Sequence, residues 1–234
     1  MTAVDTPGRL AIIVPVLNEA AHIEPALAAL QGLRERGARL IVVDGGSEDG
    51  TPARAGRHVD EVLSAERGRA RQMNAGAARA RDADVLLFLH ADTRLPADAD
   101  ERIAAAQAAG ARWGRFDVRI DGRSPWLRWI ARLMNLRSRL TGICTGDQAI
   151  FVERRLFEQL RGFADIPLME DIEFSRRARA LASPAAISAP VVTSGRRWER
   201  RGIWPTIWLM WSLRWRYWRG EDPAALARDY RQVR

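Results

Sequence analysis

Two aspartates close short apolar runs in the first half of the chain. Leu40-Ile41-Val42-Val43 runs into Asp44 and then Gly45-Gly46-Ser47-Glu48-Asp49-Gly50-Thr51; Val85-Leu86-Leu87-Phe88-Leu89 runs into His90-Ala91-Asp92-Thr93. Solidly apolar runs of this length, bounded by Gly and Asp, read as buried strands of a parallel sheet. Ligands bind beyond the carboxyl ends of such strands. Two acids at that edge suggest a site for a nucleotide and a divalent cation. Asp44 could accept hydrogen bonds from a base or ribose, and Gly45-Gly46 would let backbone approach the ligand. The alternative is a capping aspartate for a helix starting near Asp49.

The elements that must hold these residues alternate β-α-β-α. Residues 10–16 form a strand, followed by Asn18-Glu19 and a helical stretch to about Arg36; strands follow at 39–43, 59–64 and 84–89. Helices are expected from Gly50 to Arg57, Gly68 to Arg81 and Pro96 to Ala109. That order implies an α/β fold with a Rossmann-like, mostly parallel sheet flanked by helices. Beyond residue 110, residues 112–120 alternate like a half-exposed strand and Pro125 to Leu140 reads as an amphipathic helix. A short strand at 149–152, a Gly162-Phe163 loop, Met169-Glu170-Asp171 and a helix to about Leu181 follow. One domain over 1–234 is expected, with a nucleotide-binding half at about 1–110, an acceptor half at about 111–200 and a helical segment at about 201–234.

A chain of 234 residues can bury a substantial core. One cysteine, Cys144, excludes an internal disulfide and fits a reducing compartment. No leader peptide is read at the start, and no apolar run nears the roughly 18 residues that span a bilayer. The net charge of +8 is carried by arginine alone, since lysine is absent, and favours anionic partners without choosing among them.

The strings IIVPVLNEA, VDGGSEDGT, LHADT and GF with MED downstream occur in an order and spacing that resemble family 2 glycosyltransferases of the GT-A fold. The closest likeness is to small bacterial members with a GRRWERRGIW-type segment. The resemblance implies an inverting transfer of a sugar from a nucleotide-diphosphate sugar to an acceptor hydroxyl. It implies that Pro15, Asn18, Glu19 and Asp44 line the nucleotide pocket, with Arg71 and Asn74 near the base or phosphates. His90-Ala91-Asp92 takes the place of the metal-binding D-x-D, which makes Asp92 the ligand for Mn²⁺ or Mg²⁺. His90 departs from the acidic first position; it contacts ribose or metal, or is a satisfied strand-end histidine.

Glu170-Asp171 resembles the pair that supplies the catalytic base, with Asp171 removing the acceptor proton. The same acids would also suit a helix N-terminus. Asp147 falls where the family approaches donor or acceptor sugar. Arg196 and Arg197, in a segment that loosely resembles the Q-x-x-R-W motif but lacks its glutamine, could neutralise a leaving diphosphate. The alternatives are a sugar-phosphate nucleotidyltransferase and a non-catalytic nucleic-acid binder. The first would place a glycine- and basic-rich loop after the first strand, where Val16-Leu17-Asn18-Glu19 stands. The second conflicts with acids clustered at the sheet edge, so nucleic acid is not an expected partner.

Trp204, Trp208, Trp211, Trp215 and Trp218 fall on one helix face, with Arg214, Arg216 and Arg219 beside them. A second helix carries Trp126, Ile130, Leu133 and Met134 with Arg128, Arg132 and Arg139. Tryptophan beside arginine suits a bilayer interface, near a lipid-linked acceptor. The stripe would equally suit packing on the sheet or on another subunit. A cytoplasmic protein, peripheral at the inner face of the cell membrane, is the expected setting.

Overall fold

The computed structural model describes residues 8–232, so residues 1–7 and 233–234 of the expected domain lie outside the described residues. The first half runs β1 (Leu10–Val16), α1 (Ile23–Ala28), α2 (Gln31–Glu35), β2 (Arg39–Asp44), α3 (Thr51–Ala55), β3 (Glu61–Ser64), α4 (Arg69–Arg79), β4 (Val85–Phe88), β5 (Thr93–Arg94) and α5 (Ala99–Ala108). Then come β6 (Trp113–Asp121), α6 (Trp126–Thr141), a 3₁₀ turn (Gly146–Gln148), β7 (Ile150–Glu153), α7 (Arg154–Gln159), α8 (Glu170–Leu181) and β8 (Ala185–Ser194). Three helices end the chain: α9 (Arg196–Arg201), α10 (Ile203–Trp218) and α11 (Pro223–Gln232).

The eight strands form one sheet in the order β3-β2-β1-β4-β7-β6-β8-β5. β3, β2, β1 and β4 are parallel, β7 is antiparallel to β4 and β6, and β8 is parallel to β6 with β5 antiparallel at its edge. The apolar runs are continuous because both faces are covered. Ile12, Val14, Leu40, Val42 and Leu87 pack in one layer with Ile23, Leu27, Leu33 and Ile103 from α1, α2 and α5. Ile13, Ile41, Val43, Leu86 and Phe88 pack in the other with Met73, Leu156 and Phe174 from α4, α7 and α8.

Two local features aim this sheet at a ligand. Gly76 lets α4 lie directly on β1, since a Cβ there would sit 2.5 Å from Ile13 Cγ2. Pairing of β1 with β4 stops at Ile13, two residues before Pro15, so the missing proline N–H interrupts no ladder on that side.

The structure refines several sequence-based expectations. The helical stretch to Arg36 is two short helices, and the helix expected from Pro96 begins at Ala99, whose N–H donates to the Pro96 carbonyl at 3.1 Å. Strand β8 has no counterpart in the sequence reading. Its alanine-rich segment contains Pro190, tolerated because the register with β6 shifts between Phe116 and Asp117. No helix among the described residues is long and apolar enough to cross a membrane.

Candidate active site

The carboxyl ends of β1 and β2 are tied into one preformed edge. Asn18, in a left-handed conformation (φ 54°), donates its N–H to Ser47 Oγ at 2.8 Å and accepts from the Glu48 N–H at 2.9 Å. Asp44 is buried, and its carboxylate accepts the N–H groups of Gly46 and Ser47, both at 3.0 Å, and the Ser47 hydroxyl at 2.5 Å. It therefore holds its own glycine turn and does not cap α3; Asp49 binds the Thr51 N–H instead, at 3.1 Å. The Glu19 N–H donates to Thr51 Oγ1 at 2.9 Å. Beneath them Gln72, a buried residue the sequence did not flag, donates to the carbonyls of Val16 and Val43 at 2.8 Å each.

A second group gathers past the end of β4. Gly146 packs on the His90 ring so closely that a Cβ there would lie 2.4 Å from Nε2. The Gly146 N–H donates to Asp171 Oδ2 at 2.8 Å, and the Ile172 N–H donates to Oδ1 at 2.7 Å. Thr145 donates to Asp147 at 2.5 Å. A cavity of about 10 Å³ lies between Phe88, His90, Gly146, Glu170 and Asp171.

The charged groups here act strongly on one another. Desolvation, then the field of Arg69, push the His90 pKa down to about 4 against the pull of Asp92, Asp147 and Asp171, so the ring is neutral at pH 7. Burial and the neighbouring Asp171 push Glu170 up to about 7. Desolvation pulls Arg69 down, but Glu170, Tyr230, Asp171 and Asp92 together hold it above its ordinary value. Arg69, at the first turn of α4, is thus the cation embedded among these acids. The expected pair points elsewhere: Arg71 binds Asp165 at 2.8 Å and Glu66 at 2.5 Å on the exposed side. Asn74 exchanges two hydrogen bonds with the Phe163 backbone, at 2.8 and 2.9 Å.

Arg196 lies 4.0 Å from Glu19, at the β1 edge, whereas the Arg197 guanidinium stacks on the Tyr230 ring at 5.0 Å. Among the described residues, the carboxylate of Asp92, which is exposed, meets only a 3.4 Å hydrogen bond from Thr93 Oγ1. No three acidic, histidine or cysteine side chains form a metal cluster by themselves among the described residues. An ion that shares its shell with substrate phosphates needs only one or two protein carboxylates, and Asp92 fits that use.

The sequence pattern of glycosyl transferase family 2 matches residues 11–160. The chain belongs to that family. Among solved structures, this family 2 chain is similar to a mannosyltransferase from Pyrobaculum calidifontis in complex with GDP-Man and Mn²⁺, at 26% identity and TM-score 0.60, over 81% of this chain and 57% of that one. It also resembles S. aureus TarS 1-349 in complex with UDP-GlcNAc, at 17% identity and TM-score 0.64, over 80% of this chain and 58% of that one. A third is glucosyl-3-phosphoglycerate synthase from Mycobacterium tuberculosis with Mn²⁺ and UDP, at 19% identity and TM-score 0.56, covering 78% and 70%. The chain thus spans little more than half the length of the first two. No curated protein matches it. These likenesses agree with the GT-A fold expected from the sequence.

The C-terminal helices of this family 2 chain brace the site from outside. Leu213 of α10 and Leu226 of α11 pack on Met169, whose left-handed backbone (φ 70°) opens the turn into Glu170 and Asp171. The tryptophan stripe does not pack on the sheet. Trp126, Trp129, Trp204, Trp208, Trp211, Trp215 and Trp218 are each 52–79% exposed, and Leu133, Leu136 and Leu140 extend the surface along α6. Trp126 and Trp204, at 5.7 Å, join the two helices into one patch, and Arg132 and Arg219 stack on Trp129 and Trp215.

Proposed function

We propose that the chain is an inverting glycosyltransferase that moves a sugar from a nucleotide-diphosphate sugar to an acceptor hydroxyl. The observation that carries the reading is the oriented Asp171 carboxylate beside Asp92, Asp147, neutral His90 and Arg69, in a family 2 fold. Asp44, Asn18, Glu19 and Pro15 form the nucleotide edge, and Arg69 and Arg196 face the diphosphate, with Arg71 and Asn74 holding α4 in place. Asp147 and His90 border the transferred sugar. The acceptor oxygen attacks the anomeric carbon, its proton passes to Asp171, and the bond from that carbon to the diphosphate oxygen breaks. A divalent cation on Asp92 would offset charge on the departing diphosphate. The relatives with GDP-Man, UDP-GlcNAc and Mn²⁺ favour sugar transfer over nucleotidyl transfer.

The Trp/Arg patch supports a membrane-surface setting and a lipid-linked acceptor, since indole at head-group depth beside arginine suits an interface. The transfer reading is tested by a thermal-shift screen of nucleoside diphosphates with and without Mn²⁺. Stabilisation by one base, strengthened by Mn²⁺, is the expected result. No response to any diphosphate would overturn the reading.

A further inference from the structure

Arg137 is the most unusual charge in the molecule. Its Nε and Nη2 atoms are buried and have no hydrogen-bond partner among the described residues. A buried guanidinium left unpaired is costly, and most such groups find partners. Its place in the fold is well fixed. Asn135, two residues earlier, exchanges hydrogen bonds with the backbone of Val118 and accepts from Gln148 at 3.5 Å. Ser138, one residue later, accepts from the buried Arg115 at 2.9 Å. The segment around Arg137 is therefore seated against β6 and against the 3₁₀ turn that carries Asp147 and orients Asp171. A second arginine, Arg214 of α10, adds to the positive field there, and after desolvation its repulsion is the next largest reason that Arg137 is pushed down to about 10. Asp147 and Asp171 act on Arg137 in the opposite sense.

The donor does not account for this pair. Its diphosphate already has Arg69 and Arg196, which face the ends of β1 and β4. Arg137 and Arg214 stand instead on α6 and α10, the two helices that carry the exposed tryptophans. We propose that Arg137 and Arg214 seat a phosphate group of the acceptor, so that the alcohol whose proton passes to Asp171 is a phosphate-bearing one. A guanidinium fork matches paired phosphate oxygens. Binding would give the orphaned Nε and Nη2 an acceptor and relieve the repulsion between the arginines. The inference rests on the transfer reading above and names the acceptor class for it. The phosphate belongs either to a lipid head group presented along the Trp face or to a soluble acceptor.

Binding can be read on the full chain with its donor site saturated by the nucleoside diphosphate and Mn²⁺. Glycerol 3-phosphate serves as the soluble probe. Phosphatidylcholine vesicles doped with phosphatidic acid, against vesicles doped with oleate at matched charge, serve as the lipid probe. Wild type should bind glycerol 3-phosphate, or prefer phosphatidic acid over oleate by about tenfold, and the arm that responds names the source. Arg137→Gln should lose about tenfold in that arm and Arg137→Lys should regain part of it, with diphosphate affinity moving less than about twofold. Arg214→Gln gives the same readout if Arg137→Gln does not fold. Wild type that responds to neither probe, or a glutamine variant that binds like wild type, overturns the proposal. An equal loss of diphosphate affinity also overturns it, because the anion would then be the donor's. If wild type binds no nucleoside diphosphate, the transfer reading fails while both phosphate arms remain readable.

Discussion

At the ends of β1 and β2 the polar groups are bound by their own loops; at the turn before α8 charges are crowded and incompletely paired. Asp44 accepts three hydrogen bonds from its glycine turn, and Asn18 and Gln72 lace the two strands together. Across the sheet, Glu170 is buried beside Asp171, and Arg137 holds buried N–H groups without partners among the described residues. An edge that is already satisfied can receive a ligand without rearranging, which lowers the ordering cost of binding. An edge with unrelieved charge gains most from what arrives there, which suits groups that must exchange a proton or hold an anion. The contrast predicts that damage to the first region appears in donor affinity and stability, and damage to the second in turnover.

The sharpest way to break that contrast is Asp171→Asn. Removal of a general base should lower transfer by about 10²–10⁴-fold, with diphosphate affinity within about twofold of wild type. Steady-state rates beside a binding titration check both halves. Undiminished turnover removes Asp171 from the base role. Asp44→Ala should do the reverse: three donors lose their acceptor, costing about 1–3 kcal/mol in denaturant unfolding, and the donor binds more weakly. If Asp44→Ala melts like wild type, the edge is not held as described.

The surface outside the second region gives a smaller and separable effect. Replacing Trp208, Trp211 and Trp215 together by Ser should abolish pelleting with anionic vesicles at low salt while the melting temperature stays near that of wild type, because these rings are already exposed. Wild type that stays in the supernatant sinks the membrane setting. A triple variant that unfolds early would mean the rings cover a subunit interface instead.

The two regions also differed in how readily they could be read from sequence. The apolar runs that lead into Asp44 and Asp92, and the turn at Glu170-Asp171, are local patterns: apolar runs, glycine and acids a few residues apart. Arg69 was hidden because nothing local separates it from Arg71. Only the fold shows that one faces Asp92, Glu170 and Asp171 while the other turns to Glu66 and Asp165. Arg137 carries no local signal that separates it from the other arginines of α6, and only the fold brings the field of Arg214, distant in sequence on α10, to bear on it. Strand β8 escaped because alanine and a proline carry no strand signal, and its pairing depends on a register shift in β6. The tryptophan spacing fixed a helix face, but which way that face turned depended on Leu213 and Leu226 meeting Met169.

The smallest effect tests whether Glu170 is strained by its burial. Its pKa is pushed up to about 7 from an ordinary 4.5, so the folded protein holds this proton more tightly than the unfolded chain. The stability it contributes is fully present below about pH 4.5 and is lost as pH rises through 7. His90 works in the opposite sense: its depressed pKa of about 4 gives stability that is present above 6.5 and lost as pH falls. The two windows overlap and partly cancel in wild type, so only a difference measurement isolates the acid. Glu170→Gln mimics the protonated form, and its stability relative to wild type should climb between pH 4.5 and 7. At pH 8 the variant should be the more stable by about 1 kcal/mol or more, since each unit of pKa shift is worth about 1.4 kcal/mol. Chemical denaturation at pH 5 and pH 8 measures it. A difference that does not change with pH would mean that Glu170 ionises without penalty, and the crowding at this edge would then rest on His90 and Arg137.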